Sequence, residues 1–161
     1  MPTDAVVVTF ASIHAGSAFN VIPETVELKG TVRTLRDETR AMAKSRFYAI
    51  VEGLAGSMGC SAAIDWHTGY PVTSNDENEA KRVLEIGEQA TFARRTVVVE
   101  APTLGGEDFS YYGRQVPSCF FFLGLSNPDQ EESPGLHTDR FDFNDDAIGL
   151  GVEMMCRLAL S

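Results

Sequence analysis

The chain has 161 residues, 43% of them hydrophobic and 22% charged, the balance of a folded globular protein rather than a disordered one. Its net charge of -10 argues against nucleic acid or an anionic membrane as partner, because both demand basic patches. No apolar run approaches the roughly 20 residues that cross a bilayer, and the start, Met1-Pro2-Thr3-Asp4, lacks the basic flank and apolar stretch of a secretion signal.

Residues 5–13 read as a well-buried strand, apolar on both faces. The chain enters this strand after only four residues, so a longer polypeptide is expected in front of it. Residues 24–34 alternate, with Val26, Leu28, Gly30 and Val32 on one face and Glu27, Lys29, Thr31 and Arg33 on the other. That pattern predicts an antiparallel strand with one wet face. Asp37 is a candidate N-cap for a helix whose stripe is Ala43, Phe47, Ile50, Val51, Leu54 and Met58, ended by Gly56 and Gly59. Residues 61–68 alternate again, Ala62, Ile64 and Trp66 against Ala63, Asp65 and His67. Strand, strand, helix, strand over 1–69 is an incomplete α+β plait that one more strand–helix unit would complete.

From Tyr70-Pro71 the pattern changes. Asn75-Asp76 with Glu79 predicts a capping box and a helix to about Phe92. The continuously apolar runs at 96–100 and 118–123 predict short strands covered on both faces. A last helix begins near Asn144, carrying Asp145 and Asp146 in its first turn and the stripe Ile148, Gly151, Val152, Met155 and Ala159. Residues 70–161 are therefore α/β, with too few strands for a complete sheet. Cys60, Cys119 and Cys156 lie far apart, and buried thiols in a reduced cytosolic setting are the plain expectation.

Two loops follow the apolar runs, Gly105-Gly106-Glu107-Asp108-Phe109 and 134–142. Such loops gather at the ligand-binding edge of α/β sheets, where paired glycines let backbone approach a ligand closely. His137 sits in the second, with Asp139, Asp142 and Asp145 near enough in sequence to supply an orienting carboxylate. His67 shares a face with Asp65, which a solvated polar face explains, and His14 sits by a turn. No HExxH, CxxC pair, GxSxG or GxGxxG occurs, so no self-contained active site is legible.

Four motifs in order carry a resemblance: Asn20-Val21-Ile22-Pro23, Gly30-Thr31-Val32-Arg33, Gly105-Gly106-Glu107-Asp108-Phe109, and Leu136-His137 leading to Phe141-Asp142 and Asn144-Asp145. Together they resemble the C-terminal part of the metallopeptidases and amidohydrolases that include aminoacylases, hippurate hydrolases and carboxypeptidase G-like enzymes. The resemblance implies an α/β catalytic domain with a dinuclear metal site and an inserted α+β, ferredoxin-like lid that forms a homodimer, both incomplete here. Residues 1–69 resemble the lid and 70–161 the catalytic domain. Residue by residue, Asn20 and Arg33 match positions that hold the substrate carboxylate. Gly105, Gly106, Glu107 and Asp108 match a pocket-lining loop, and His137 matches a metal-ligand histidine. Asp139 departs from the pattern, since relatives often have proline there.

The implied chemistry is hydrolysis of an N-acyl-amino-acid amide with two divalent ions, zinc or manganese, in a cytoplasmic enzyme. The general base and the other ligands are expected in a segment upstream of this chain, which alone is expected to be inactive. The rival expectations are a non-catalytic remnant that mediates self-association, and a small-carboxylate binding module that keeps Asn20 and Arg33.

Overall fold

The computed structural model describes residues 4–93, 95–126 and 134–161. Its elements in chain order are β1 (Val6–Ala15), β2 (Val26–Thr34), α1 (Asp37–Ser57), α2 (Glu77–Gln89), a single turn α3 (Ser110–Gly113), and α4 (Ala147–Leu160). They fall into two compact units, residues 1–72 with 101–110, and residues 73–100 with 111–161.

In the first unit β1 and β2 form an antiparallel pair that runs from Val6 opposite Thr34 to Ala15 opposite Val26. The register slips between Phe10 and Ser12, leaving Ala11 as the extra residue of a β-bulge, with Phe10 opposite Gly30. The strand that the alternation predicts forms as β2, but its expected dry face does not, since Val26 and Leu28 are 53% and 51% exposed. The burial expected of β1 fails as well: Val8 and Phe10 are each 50% exposed and Ile13 65%. One helix over two strands covers only a strip of the sheet, and an open apolar groove of about 430 Å³ remains between Val8, Phe10, Met42, Phe47 and Ile50.

α1 starts one residue earlier than its expected cap allows. Arg36, in extended backbone, is the N-cap and makes no side-chain cap, while Asp37 lies inside the first turn with Glu38, where acidic charge meets the positive end of the helix. Its C-terminus is a Schellman motif. Cys60 N–H donates to Ala55 O at 2.9 Å and Gly59 N–H to Gly56 O at 3.1 Å, with Gly59 at φ +71°, where a side chain would be strained. Ala43 is buried and Phe47 and Val51 half-buried, but Ile50, Leu54 and Met58 of the expected stripe are exposed.

No strand forms at 61–68, because a ladder needs a partner and β1 with β2 is the whole sheet among the described residues. The alternation nevertheless sets the facing from Ile64 on, while Ala62, expected on the inward face, is exposed. Ile64 and Trp66 turn inward while Ala63, Asp65 and His67 are exposed. Trp66 meets Phe47 edge-on at 5.6 Å, Tyr48 lies 6.2 Å away, and Lys44 Nζ stands 5.6 Å over the indole.

In the second unit, Asp76 caps α2: its Oδ1 accepts from Asn78 N–H at 2.9 Å and Glu79 N–H at 3.1 Å. Glu79 does not complete the expected box, pairing instead with Arg82 at 3.2 Å, and the helix ends at Gln89, short of Phe92. The runs at 96–100 and 118–123 are not strands. Residues 118–120 instead pair with the α2 approach: Asn75 exchanges two hydrogen bonds with the Phe120 backbone at 2.8 and 2.9 Å, and Asp76 N–H donates to Ser118 O at 2.9 Å. Val97, Val98, Val99 and Phe122 are exposed.

α4 buries Ala147 and Met154, whereas Ile148, Val152 and Met155 of the expected stripe face outward. The helix is apolar around most of its girth, so the stripe was ambiguous. Asn144 Oδ1 accepts from Asp146 N–H at 3.1 Å in the turn that leads into it. Arg82 of α2 reaches the end of α4, donating to Leu158 O at 2.7 Å and Ser161 Oγ at 2.6 Å. Cys60 and Cys156 are exposed and Cys119 half-buried, so the thiols are not uniformly buried as expected; burial pushes the Cys119 thiol up.

Glu153 closes the loop after α2. Its two oxygens accept from Thr91 N–H at 2.8 Å and Phe92 N–H at 3.0 Å, and Arg157 Nε donates to the first at 2.8 Å. The Thr91 and then the Phe92 amide, with help from Arg157, hold its pKa down to about 2 from 4.5. A lowered folded-state pKa means the carboxylate stabilises the unit above about pH 4.5 and that this contribution fades as pH falls toward 2. Wild type is therefore expected to be more stable than Glu153→Gln at neutral pH, with the gap in urea midpoint closing between pH 4.5 and 2. A gap independent of pH would show that the two amides do not hold the carboxylate.

Candidate functional site

The candidate residues divide between the units. Asn20, Arg33, Gly105, Gly106, Glu107 and Asp108 belong to the first, and His137 to the second.

Asn20 lies in the β1–β2 connection beside two fully exposed apolar side chains, Phe19 and Ile22. Its amide is exposed and makes no hydrogen bond among the described residues. Arg33 stands opposite Val7 near the end of β2, and its Nη1 donates to Leu104 O at 2.8 Å. That bond spans 71 positions of sequence and brings the Gly-Gly loop to the strand.

The loop itself turns tightly. Ser110 donates to Glu107 O from both its N–H, at 3.2 Å, and its Oγ, at 2.6 Å, and is itself fully buried. A Cβ at Gly106 would lie 3.5 Å from the Tyr70 ring. Tyr70 O in turn accepts from Arg40 Nη2 at 2.9 Å. Glu107 is half-buried and Asp108 exposed. Neither Arg40 nor the Leu104 carbonyl was marked by sequence reasoning. A backbone carbonyl carries no residue-type signal, and an arginine three positions after Asp37 reads as a helix-surface ion pair, which it also forms at 3.8 Å.

His137 sits in a turn closed by Thr138 Oγ1 donating to Gly135 O at 2.8 Å and Phe141 N–H donating to Thr138 O at 3.2 Å. It is the one non-glycine residue with positive φ, +64°, among the described residues. Left-handed backbone costs an L residue roughly 1–2 kcal/mol, and such strain concentrates at functional positions. The orienting carboxylate expected from Asp139, Asp142 or Asp145 is not there: His137 makes no hydrogen bond among the described residues.

A neutral imidazole is a good nitrogen donor for a divalent ion, but one donor does not make a site. No group of three or more His, Cys, Asp or Glu side chains among the described residues could hold a metal ion. The described residues therefore do not fit a pair of ions by themselves. His67 and Asp65 pair at 3.0 Å, both almost fully exposed, which is a solvated surface pair. No helix among the described residues is long and apolar enough to cross a membrane.

The structure brings the Gly-Gly loop to Arg33 but not Asn20, whose connection leaves the hairpin at the Ala15–Val26 end while Arg33 stands opposite Val7 at the other. Comparison with known proteins identifies the family. The family described as peptidase family M20/M25/M40 matches residues 3–161. An N-acetyl-L-cysteine deacetylase of Bacillus subtilis is 35% identical over 138 residues, covering 86% of this chain and 32% of the relative. An N-acetyldiaminopimelate deacetylase of Brevibacillus brevis is 33% identical over 157 residues, covering 97% of this chain and 40% of the relative. Among solved structures, the Bacillus subtilis YXEP protein, described as a dinuclear metal binding peptidase from the M20 family, matches with a TM-score of 0.79 at 27% identity. That match covers 98% of this chain and 42% of the other. The chain thus spans about a third to two-fifths of the length of these relatives.

Proposed function

Because the chain belongs to peptidase family M20/M25/M40, we propose that it is part of a metal-dependent amidohydrolase that cleaves the amide bond of N-acyl amino acids, of the aminoacylase and hippurate-hydrolase type. The observation that carries this reading is Arg33, an exposed guanidinium fixed beside the Gly105-Gly106 loop in the unit that also holds Asn20. A planar fork of N–H donors suits the free carboxylate of an N-acyl amino acid, while Asn20, at the other end of the hairpin, is assigned to the same ligand on the motif resemblance alone. Gly105, Gly106, Glu107 and Asp108 form the pocket wall, close to the acyl-amino-acid end that Arg33 selects. Two relatives that are named as deacetylases of N-acetylated amino acids support the substrate class.

In the same reading residues 1–69 form a lid and homodimerisation portion and residues 70–161 a portion of the catalytic domain, in a cytoplasmic enzyme. Two divalent ions, zinc or manganese, belong to it. His137 supplies one nitrogen, and the remaining donors and the general base come from outside the described residues.

A second reading, a carboxylate-binding or self-associating remnant without chemistry, draws on the lack of a metal-ligand group among the described residues and on the exposed apolar faces of β1 and α4. Amine release from a panel of N-acetyl and N-benzoyl amino acids, with zinc or manganese added, separates the two. These 161 residues alone are expected to give no turnover. Joined to the remaining length that the relatives span, they are expected to hydrolyse at least one member of the panel. Silence across the panel in the longer polypeptide sinks the enzyme reading.

A further inference from the structure

Residues 101–110 return to the first unit after an excursion of 28 residues, 73–100, yet no ladder holds them there. The Arg33 side chain does, and Arg40 holds the neighbouring Tyr70. Arg33 Nη1 donates to Leu104 O, the carbonyl immediately before Gly105-Gly106, at 2.8 Å. Arg40 Nη2 donates at 2.9 Å to the carbonyl of Tyr70, whose ring lies against Gly106. Two adjacent glycines impose little conformation of their own, so the placement of Glu107 and Asp108 depends on what grips the loop at its base.

A guanidinium is rigid and planar and carries five N–H groups. With Nη1 spent on Leu104 O, the edge formed by Nε and Nη2 remains, and that edge can take a carboxylate through two parallel hydrogen bonds. Arg33 has no other hydrogen bond or ion pair among the described residues. The loop contact also fixes the plane of the guanidinium, lowering the ordering cost of binding on its open edge.

We propose that Arg33 is a two-armed positioning residue: Nη1 holds the Leu104 carbonyl while the Nε–Nη2 edge takes the ligand carboxylate, so that carboxylate binding and placement of the Gly105–Asp108 loop are one event. The carboxylate arm rests on the reading of Asn20 and Arg33 given under Proposed function; the loop arm does not. Linkage makes the coupling reciprocal. A carboxylate that fixes the guanidinium must tighten the loop, and a tightened loop must raise affinity for the carboxylate by the same factor.

Amide hydrogen exchange on the 161-residue chain tests both arms, with N-benzoylglycine and its amide, N-benzoylglycinamide, as probes. In Arg33→Ala, exchange at Ser110, the buried amide that donates to Glu107 O at the end of the loop, is expected to rise about tenfold while α1 is unchanged. Arg33→Lys keeps one donor, so loop protection is expected to stay within about threefold of wild type while the response to N-benzoylglycine is lost. In wild type, N-benzoylglycine is expected to slow exchange at Ser110 and N-benzoylglycinamide to leave it unchanged. Loop exchange unaltered in a folded Arg33→Ala, or slowed equally by both probes, overturns the proposal. If Arg33→Ala loses its helix content, wild type and Arg33→Lys decide alone. N-benzoylglycine that binds through Arg33 without slowing the loop would break the coupling yet leave the carboxylate reading intact. Failure of N-benzoylglycine to bind, with the loop still loosened in Arg33→Ala, would remove the carboxylate arm and the two-armed assignment with it.

Discussion

Gly30→Ala is expected to destabilise the chain by more than about 2 kcal/mol, one of the larger effects a single methyl group can have. Gly30 faces Phe10 where the register of β1 slips, and the bulge drives the Thr9 backbone onto it. A Cβ there would overlap the Thr9 carbonyl oxygen, and would stand 3.1 Å from the carbonyl carbon and 3.2 Å from Phe10 Cα. None of these atoms belongs to a flexible side chain that could swing away. Relief requires β1 to lift off β2 at the bulge, which breaks the ladder that holds the only sheet among the described residues.

Gly53→Ala is the matched control. A Cβ at Gly53, inside α1, meets nothing within 4 Å, so alanine should gain about 0.5–1 kcal/mol through helix propensity and reduced unfolded-state entropy. Urea midpoints of the two variants are thus expected to move in opposite directions. If both moved down by the same amount, the clash at Gly30 would not be the cause.

The same bulge marks the limit of what was legible in the sequence. Alternation from Val26 to Val32 revealed β2, though not a single wet face, since Val26 and Leu28 are themselves about half exposed, and Asp76, with Glu79 shortly after it, revealed the start of α2. These signals are local, carried by residues within one turn or one strand of each other. Ile64 and Trp66 likewise turned inward as their spacing predicted. Whether 61–68, 96–100 or 118–123 becomes a strand is a different question, because a strand is completed by a partner elsewhere in the chain and no spacing within the segment supplies one. At 118–120 the partner is instead the Asn75 side chain, 45 positions away, which no periodicity encodes. α4 failed for another reason. With Ile148, Val152 and Met155 on one side and Ala147 and Met154 on the other, two apolar stripes competed, and the one carrying Ala147 and Met154 is buried.

The site was legible to a similar depth. Asn20, Arg33, the Gly-Gly-Glu-Asp loop and His137 stand out through ordered motifs, but the atom that Arg33 grips is a backbone oxygen 71 positions distant. The fold decides that contact. It also corrected the surroundings of His137, whose expected carboxylate neighbour is replaced by a strained backbone.

The positive φ of His137 lets its proposed role as a ligand be tested apart from its place in the turn. If His137 holds a metal ion as proposed, substituting it is expected to cut amide hydrolysis by at least about 100-fold in the polypeptide assayed for turnover, whether glycine or alanine replaces it, because both remove the proposed nitrogen donor. Stability should distinguish the two replacements. Alanine inherits φ +64° with the full penalty of a Cβ, while glycine occupies that region freely. His137→Gly should therefore leave the chain about 1 kcal/mol more stable than His137→Ala does. In this comparison the protein holds a histidine where glycine would fold better, which is the pattern of a residue kept for chemistry. Thermal melts of His137→Gly and His137→Ala, set beside their hydrolysis rates, give the check. A rate unchanged by either substitution would make His137 a surface residue of a tight turn, and equal melting of the two variants would mean that the turn relaxes once the imidazole is removed.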